Sequence, residues 1–375
     1  MMICFRKMYE RMQEEEIWLI DRSFSRKIYY INFIYSIVML LHHADADVYF
    51  DNIIQTGSLM DYVAYQINLW FVETDAIYYF MMLSAFLLYH DLSKDNIKGK
   101  LKRRVKTLLI PWLVWNIIGM ISYHDFDQGI AYLLRNFFAS RFCPQIRYLV
   151  TLMVLLLFIP LFRRIFKIKY VREAALAVIY IIGYLGFPFI READFFPSEQ
   201  ARAEVLLMLS HVPVYCFGTY LGLNYAEFVI SEKYNNEYRK AAIVTAVSIL
   251  VLPYIFPNSI IGYALGKLQF AAVWIILRKK YFTLHPKWWI QISFYMYVIH
   301  NFVLYWEGKI IKLSGIFSVE FNSSTVTESF ALMWRFMLSA IAVPLIIISA
   351  KILLRFTPKF YAALSGGKIP NMYES

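Results

Sequence analysis

Charge is scarce in this chain. Only 17% of its 375 residues are Asp, Glu, Lys or Arg, whereas ordinary globular domains carry about 25%. No polar stretch is long enough to be a soluble domain, so a length that would allow two such domains reads instead as one bundle with short loops. Cysteine is nearly absent. Cys4, Cys143 and Cys216 are an odd set without C-x-x-C spacing, which supplies neither a disulfide framework nor a zinc motif. No metal and no bound cofactor is expected. G-x-x-x-x-G-K-[ST] and G-x-G-x-x-G are missing, which excludes an attached nucleotide-hydrolysing module. No internal repeat is visible, which argues against a transporter built from inverted repeats. The N-terminal stretch MMICFRKMYERMQEEEIWLIDRSFSRK has no apolar core followed by small residues, so a cleavable signal peptide is not expected.

Apolar side chains are what the chain has in excess. They make up 59% of it, against about 45–50% in globular domains, and such a surplus points to lipid as the solvent. Apolar runs predict helices near 28–44, 74–90, 107–123, 146–162, 173–190, 205–223, 241–256, 260–277, 288–306 and 331–354. The expected fold is an all-α membrane protein, a bundle of about ten transmembrane helices. Residues 1–27 form a cytoplasmic segment, 28–354 a single transmembrane domain and 355–375 a cytoplasmic tail. The net charge of +11 would suggest a nucleic-acid partner on a soluble protein, but here its distribution matters more. Basic residues gather in alternate loops, as in the run from Lys98 to Lys106 and the run from Arg163 to Arg172. Residues 44–75 contain no Lys or Arg but carry Asp45, Asp47, Asp51, Asp61, Glu73 and Asp75. Because Lys and Arg collect on the cytoplasmic side, both termini are expected inside. Membrane lipids are expected partners, and nucleic acid is not.

Several polar residues fall at membrane depth, where ionisable groups are costly and face a bundle interior or a wet cavity. His42 and His43 end the first predicted helix. A neutral imidazole there can accept a proton, although an interfacial histidine is the plainer reading. The two point about 100° apart, so at most one faces a given cavity. Asp47 lies four residues beyond His43 and would share its face if the helix continued. Otherwise it is a solvated loop aspartate. Arg103, Arg104 and Lys106 precede the third predicted helix. Such a cluster suits phosphate oxygens, and equally suits a topology anchor against anionic head groups. Ser84, Asn116, His211, Lys267, Gln269, His300, Asn301 and Arg335 are also predicted inside helices. Together they suggest a polar interior, as in a transporter or an embedded enzyme.

The blocks INFIYSIVMLLHH, YYFMMLSAFLLY, LKRRVKTLLIPWLVWN, CPQIRYLVTLMVLLLFIP, HVPVYCFGTYLG and ISFYMYVIH occur in that order. In this order they resemble the acyltransferase 3 family of membrane O-acyltransferases, over roughly residues 28–354. Four positions depart from the family pattern. Asn32 stands eleven residues before His43, where the family has arginine. Ala85 follows Ser84 in place of glycine, Thr107 takes the second arginine position of the basic pair, and Arg147 takes a tryptophan position. The resemblance implies transfer of an acyl group, usually acetyl, from cytoplasmic acyl-CoA to a hydroxyl of a surface polysaccharide, lipid-linked glycan or exported small molecule. It implies a bacterial inner membrane. It makes His43 the expected catalytic base with Asp47 as orienting partner, and Arg103, Arg104 and Lys106 the acyl-CoA phosphate site. Asn32, Ser84, Tyr148 and His300 are expected to line the cavity. A polytopic transporter or exporter would also explain the helices, as would a non-enzymatic scaffold of the same fold. Neither would turn over acyl-CoA.

Overall fold

The computed structural model describes residues 2–46, 50, 52–73, 76–92, 97–123, 129–193, 196, 198–256, 259–314 and 325–370. Its helices are, in chain order, α1 (Met2–His43), α2 (Leu59–Glu73), α3 (Ala76–Leu92), α4 (Ile97–Tyr123), α5 (Ile130–Phe138) and α6 (Arg147–Leu157). Then come α7 (Ile159–Lys167), α8 (Val171–Glu192), α9 (Glu199–Asn224), α10 (Ala226–Ser231), α11 (Lys233–Asn236) and α12 (Arg239–Ile255). The last are α13 (Ile260–Gly266), α14 (Gln269–Ile276), α15 (Ser293–Ser314), α16 (Glu328–Phe356) and α17 (Pro358–Leu364). Strands β1 (Asn52–Ile54) and β2 (Thr325–Thr327) pair in parallel, Ile53 opposite Val326.

Five stretches among the described residues are long and apolar enough to cross a bilayer: Leu59–His90, Leu101–Ser122, Val171–Glu192, Ala201–Asn224 and Glu328–Phe356. A sixth exists if Pro144–Leu157 and Ile159–Lys167, bent by 66°, count as one broken span. The chain is a largely helical, multi-pass membrane protein, and the expected ten spans are not matched one for one. The predicted helix 146–162 breaks at Phe158, with Pro160 in the first turn of α7. Proline suits that first turn because it has no N–H to leave unpaired. The predicted helix 260–277 is two short helices separated at Lys267 and Leu268. The Lys267 ammonium donates to the Tyr78 hydroxyl at 2.7 Å and sits 4.8 Å from the Tyr263 ring centre. The stretch read as an outer loop, 44–75, contains α2. Its exposed side carries Leu59, Met60, Tyr62 and Val63, while Asp61, Ala64 and Phe71 are buried.

The chain forms two compact units. The first comprises 1–31, 78–100 and 155–286; the second comprises 32–77, 101–154 and 287–375. In the first unit α9 begins at Ser198, whose hydroxyl accepts from Ala201 N at 3.2 Å, with Glu199 in the first turn. Such a cap satisfies one of the orphan N–H groups of a helix start. On α9, Gly218 and Gly222 lie directly against the carbonyls of Met82 and Phe86 on α3, and a Cβ at either would collide. Small residues four apart let helix backbones meet, which explains the glycines of HVPVYCFGTYLG.

The same unit buries one ion pair. Lys27 Nζ is 2.6 Å from Glu232 Oε1, donates to Trp274 O at 2.8 Å and lies 4.1 Å from the Trp274 ring centre. Glu232 is left-handed, with φ of 57°, and also accepts from Lys279 N at 3.0 Å. A non-glycine residue there is strained, and these contacts hold it in place.

In the second unit α16 packs on α2 and α15. Thr327 caps it by accepting from Phe330 N at 3.3 Å. The expected C-terminal tail is folded in part. Tyr361 and Leu364 of α17 are buried, and Trp115 Nε1 donates to Leu364 O at 3.0 Å.

Candidate active site

The second unit assembles four of the sequence blocks through specific hydrogen bonds. Ser36 of α1 donates to Ser293 O, the first residue of α15, at 2.9 Å. Gln145, in the short turn before α6, donates to Val298 O at 2.9 Å and accepts through its own carbonyl from the Tyr297 hydroxyl. Trp112 Nε1 of α4 donates to Ser140 Oγ at 2.8 Å. These are buried polar groups paired with one another, which fixes register where apolar packing alone would allow sliding.

At the end of α1 the His43 ring is exposed and stacks on the His300 ring of α15, with centroids 5.0 Å apart and planes 28° from parallel. His300 is fully buried. Its Nδ1 bonds Tyr297 O, one turn back on α15, and its Nε2 has no hydrogen-bond partner among the described residues. His42 is committed elsewhere: its Nδ1 is 2.9 Å from Phe71 O of α2. The neighbouring histidines thus make different contacts, a hydrogen bond for His42 and a stack for His43, although their own rings meet edge-on with centroids 4.7 Å apart.

Arg335 holds the end of α1 in place, and sequence reasoning noted it only as one polar residue among several. Almost wholly buried on α16, its guanidinium donates to Leu41 O, to His42 O at 3.0 Å, to Asp45 Oδ1 at 2.9 Å and to Asn68 Oδ1 at 3.2 Å. The last carbonyls of a helix have no partner within it. A cation there satisfies them and complements the negative end of the helix dipole. The usable sequence signal was an arginine inside an otherwise apolar run of α16, at membrane depth.

Asp47, the expected orienting partner, lies outside the described residues. Among the described residues, Asp45 acts on this end of α1 through Arg335. Asn32 begins the second unit, and its side-chain oxygen has no hydrogen-bond partner. Tyr148 is buried edge-on to Tyr297, with centroids 5.0 Å apart. Ser84 is on α3 of the first unit, whereas Asn32, Tyr148 and His300 belong to the second. Thus the structure brings together His43 and His300, and Tyr148 reaches His300 through Tyr297, whose ring centre is 5.9 Å from that of His300.

Arg103, Arg104 and Lys106 lie near the start of α4. Arg103 and Lys106 are exposed and Arg104 is partly buried. The Arg104 charge acts on the Tyr148 phenol, so the cluster continues into the Tyr148–Tyr297–His300–His43 series of rings. A second cation, Lys368, was missed. Gly366 turns there with φ of 72°, close to Thr107 O of α4. The Lys368 side chain is largely exposed, yet desolvation of its ammonium by the surrounding protein and the Arg104 charge hold it below the usual lysine range. Two cations within electrostatic reach of one another favour an anion beside them, and a phosphate is the natural match. No sequence spacing links residues so far apart in the chain.

Glu307 follows His300 by two helical turns on nearly the same face of α15. It is buried, and neither carboxylate oxygen has a hydrogen-bond partner among the described residues. A buried acid without a donor is costly and marks a place where function outweighs stability.

A family model described as an acyltransferase domain matches residues 27–352 of the chain. No curated protein matches the chain. No solved structure matches it either.

Proposed function

Since the chain belongs to the acyltransferase 3 family and is a membrane acyltransferase, we propose that it is an O-acyltransferase, with acetyl the expected acyl group. Acyl-CoA on the cytoplasmic side is the donor. A hydroxyl of a surface polysaccharide, lipid-linked glycan or exported small molecule is the acceptor. The supporting observation is the His43–His300 stack, held at the clamped end of α1, with the Arg104–Lys368 cations linked to it through Tyr148 and Tyr297.

In this reading His43 takes the proton from the acceptor hydroxyl. The oxygen attacks the thioester carbonyl, the C–S bond breaks, and the CoA thiolate leaves and takes up the proton. General base help of this kind contributes typically about 10²–10⁴-fold. Arg103, Arg104 and Lys106, joined by Lys368, hold the CoA phosphates. Tyr148 and His300 wall the path, and Arg335 positions the helix end that carries the base. Asp47 remains a candidate for orienting His43. The family resemblance implies a bacterial inner membrane, and the Lys and Arg distribution argues for both termini inside.

The test is transfer of radiolabel from acetyl-CoA into the glycan fraction of membranes containing the protein. Label retained in the glycan after washing supports the reading. Membranes with the protein that incorporate no more label than membranes without it would refute it. For orientation, a cysteine placed at position 55 is expected to react with an impermeant thiol reagent on intact cells, and one at position 100 is not. The opposite pattern inverts the topology.

A further inference from the structure

We propose that the first unit carries a binding site for one anionic phospholipid, with an acyl chain in an apolar pocket and the phosphate on the first turn of α12. The pocket has a volume of about 450 Å³ and is walled by α3, α9, α10, α12 and α14. Met82, Phe86, Leu221, Phe228, Ala242 and Trp274 form much of its surface. Ligand pockets fall in the range of about 300–1,000 Å³. Packed interiors leave few voids larger than a water, so an apolar space of this size calls for an occupant. The lining has too few polar groups to orient a water-soluble ligand, whereas an alkyl chain needs none.

The polar groups that are present point to a lipid. The buried indole N–H of Trp274 and the hydroxyl of Tyr234 both line the pocket and meet one another there. The ester carbonyls of a glycerolipid are acceptors that such donors can take. At the start of α12, Tyr238 and Ala241 line the pocket and bracket Arg239 and Lys240. Both cations are exposed and make no hydrogen bond or ion pair among the described residues. Tyr238 provides no side-chain cap, so the first-turn N–H groups of this 17-residue helix are open to an acceptor as well. Nearby acids are mostly neutralised by their own partners: Glu173 by Arg172, Glu227 by Lys233 and Glu232 by Lys27. Glu237 adjoins Arg239 and Lys240 in the sequence, which leaves the start of α12, next to the lining residues Tyr238 and Ala241, net positive. Basic pockets beside membrane helices take anionic head groups in this way. The inference does not depend on the acyl-transfer reading.

The test uses the purified protein in nanodiscs of phosphatidylcholine containing a fixed fraction of phospholipid with dibrominated chains, which quench tryptophan on contact. The Trp274 contribution is the difference between wild type and Trp274→Phe. Dibrominated phosphatidylglycerol is expected to quench it at least threefold more than dibrominated phosphatidylcholine. Arg239→Gln with Lys240→Gln, both on the surface, should abolish that preference. Ala242→Phe should reduce quenching by either lipid, because it fills the pocket. Equal quenching by the two lipids in wild type would overturn the proposal, and so would a preference that survives the double substitution.

Discussion

The two units handle buried polar groups differently. The first keeps them in small clusters, among them the pair of Lys27 with Glu232 over Trp274 and Lys267 over Tyr78 and Tyr263, beside an apolar pocket. The second joins them into networks, from Arg335 through Asp45 and Asn68, and from Gln145 through Tyr297 to His300. An isolated buried pair is weak evidence for stability, because desolvation offsets most of its attraction. A connected network also fixes where its members point. The second arrangement suits chemistry, and the first suits holding an apolar ligand.

The largest expected effect falls in the second unit. His43→Ala should lower acyl transfer by about 10²–10⁴-fold with the protein folded and inserted, whereas His42→Ala should cost far less. Acceptor acylation in membranes matched for protein level decides between them. A dead His42→Ala beside an active His43→Ala would move the base by one residue.

Next come the two buried cations. Arg335→Ala and Lys27→Ala should each destabilise by about 3–5 kcal/mol, since each strands a partner. Thermal unfolding in detergent reads both. The comparison between units is sharpened by the double variant Lys27→Met with Glu232→Leu, which should recover most of the loss. Arg335→Lys should not, because an ammonium cannot replace the guanidinium fork across four acceptors. Equal rescue in both units would erase the distinction.

Arg104→Ala should raise the donor KM about tenfold with a smaller change in kcat, the effect of losing one charge-assisted hydrogen bond. Lys368→Ala should act in the same direction. A donor titration like wild type would reduce the cluster to a topology anchor. The smallest effect is a gain: Glu307→Gln should stabilise the protein by about 1 kcal/mol, because a neutral amide is cheaper to bury than an unpartnered carboxylate. Acceptor acylation measured alongside shows whether that gain is bought with activity.

Composition alone established a membrane protein, since the apolar surplus leaves no other solvent for these helices. The ordered blocks identified the family, and within them His43 and His300 were legible because ionisable residues are rare at that depth. Helix breaks were not legible. Hydropathy averages over a window, so it ran through Phe158 and through Lys267 and passed over α2, whose buried Asp61 makes it look like a loop. Only the tertiary structure joined Arg335 to the end of α1 and Lys368 to Arg104. Those pairs are separated by hundreds of residues, and no periodicity records which carbonyl or charge a distant side chain will meet. The sequence by itself determined the solvent and the family, and it marked the histidines as candidates. Packing decided which histidine is tied to Phe71 O and which stacks on His300, because two neighbours on a helix differ only in the faces they present to the rest of the fold.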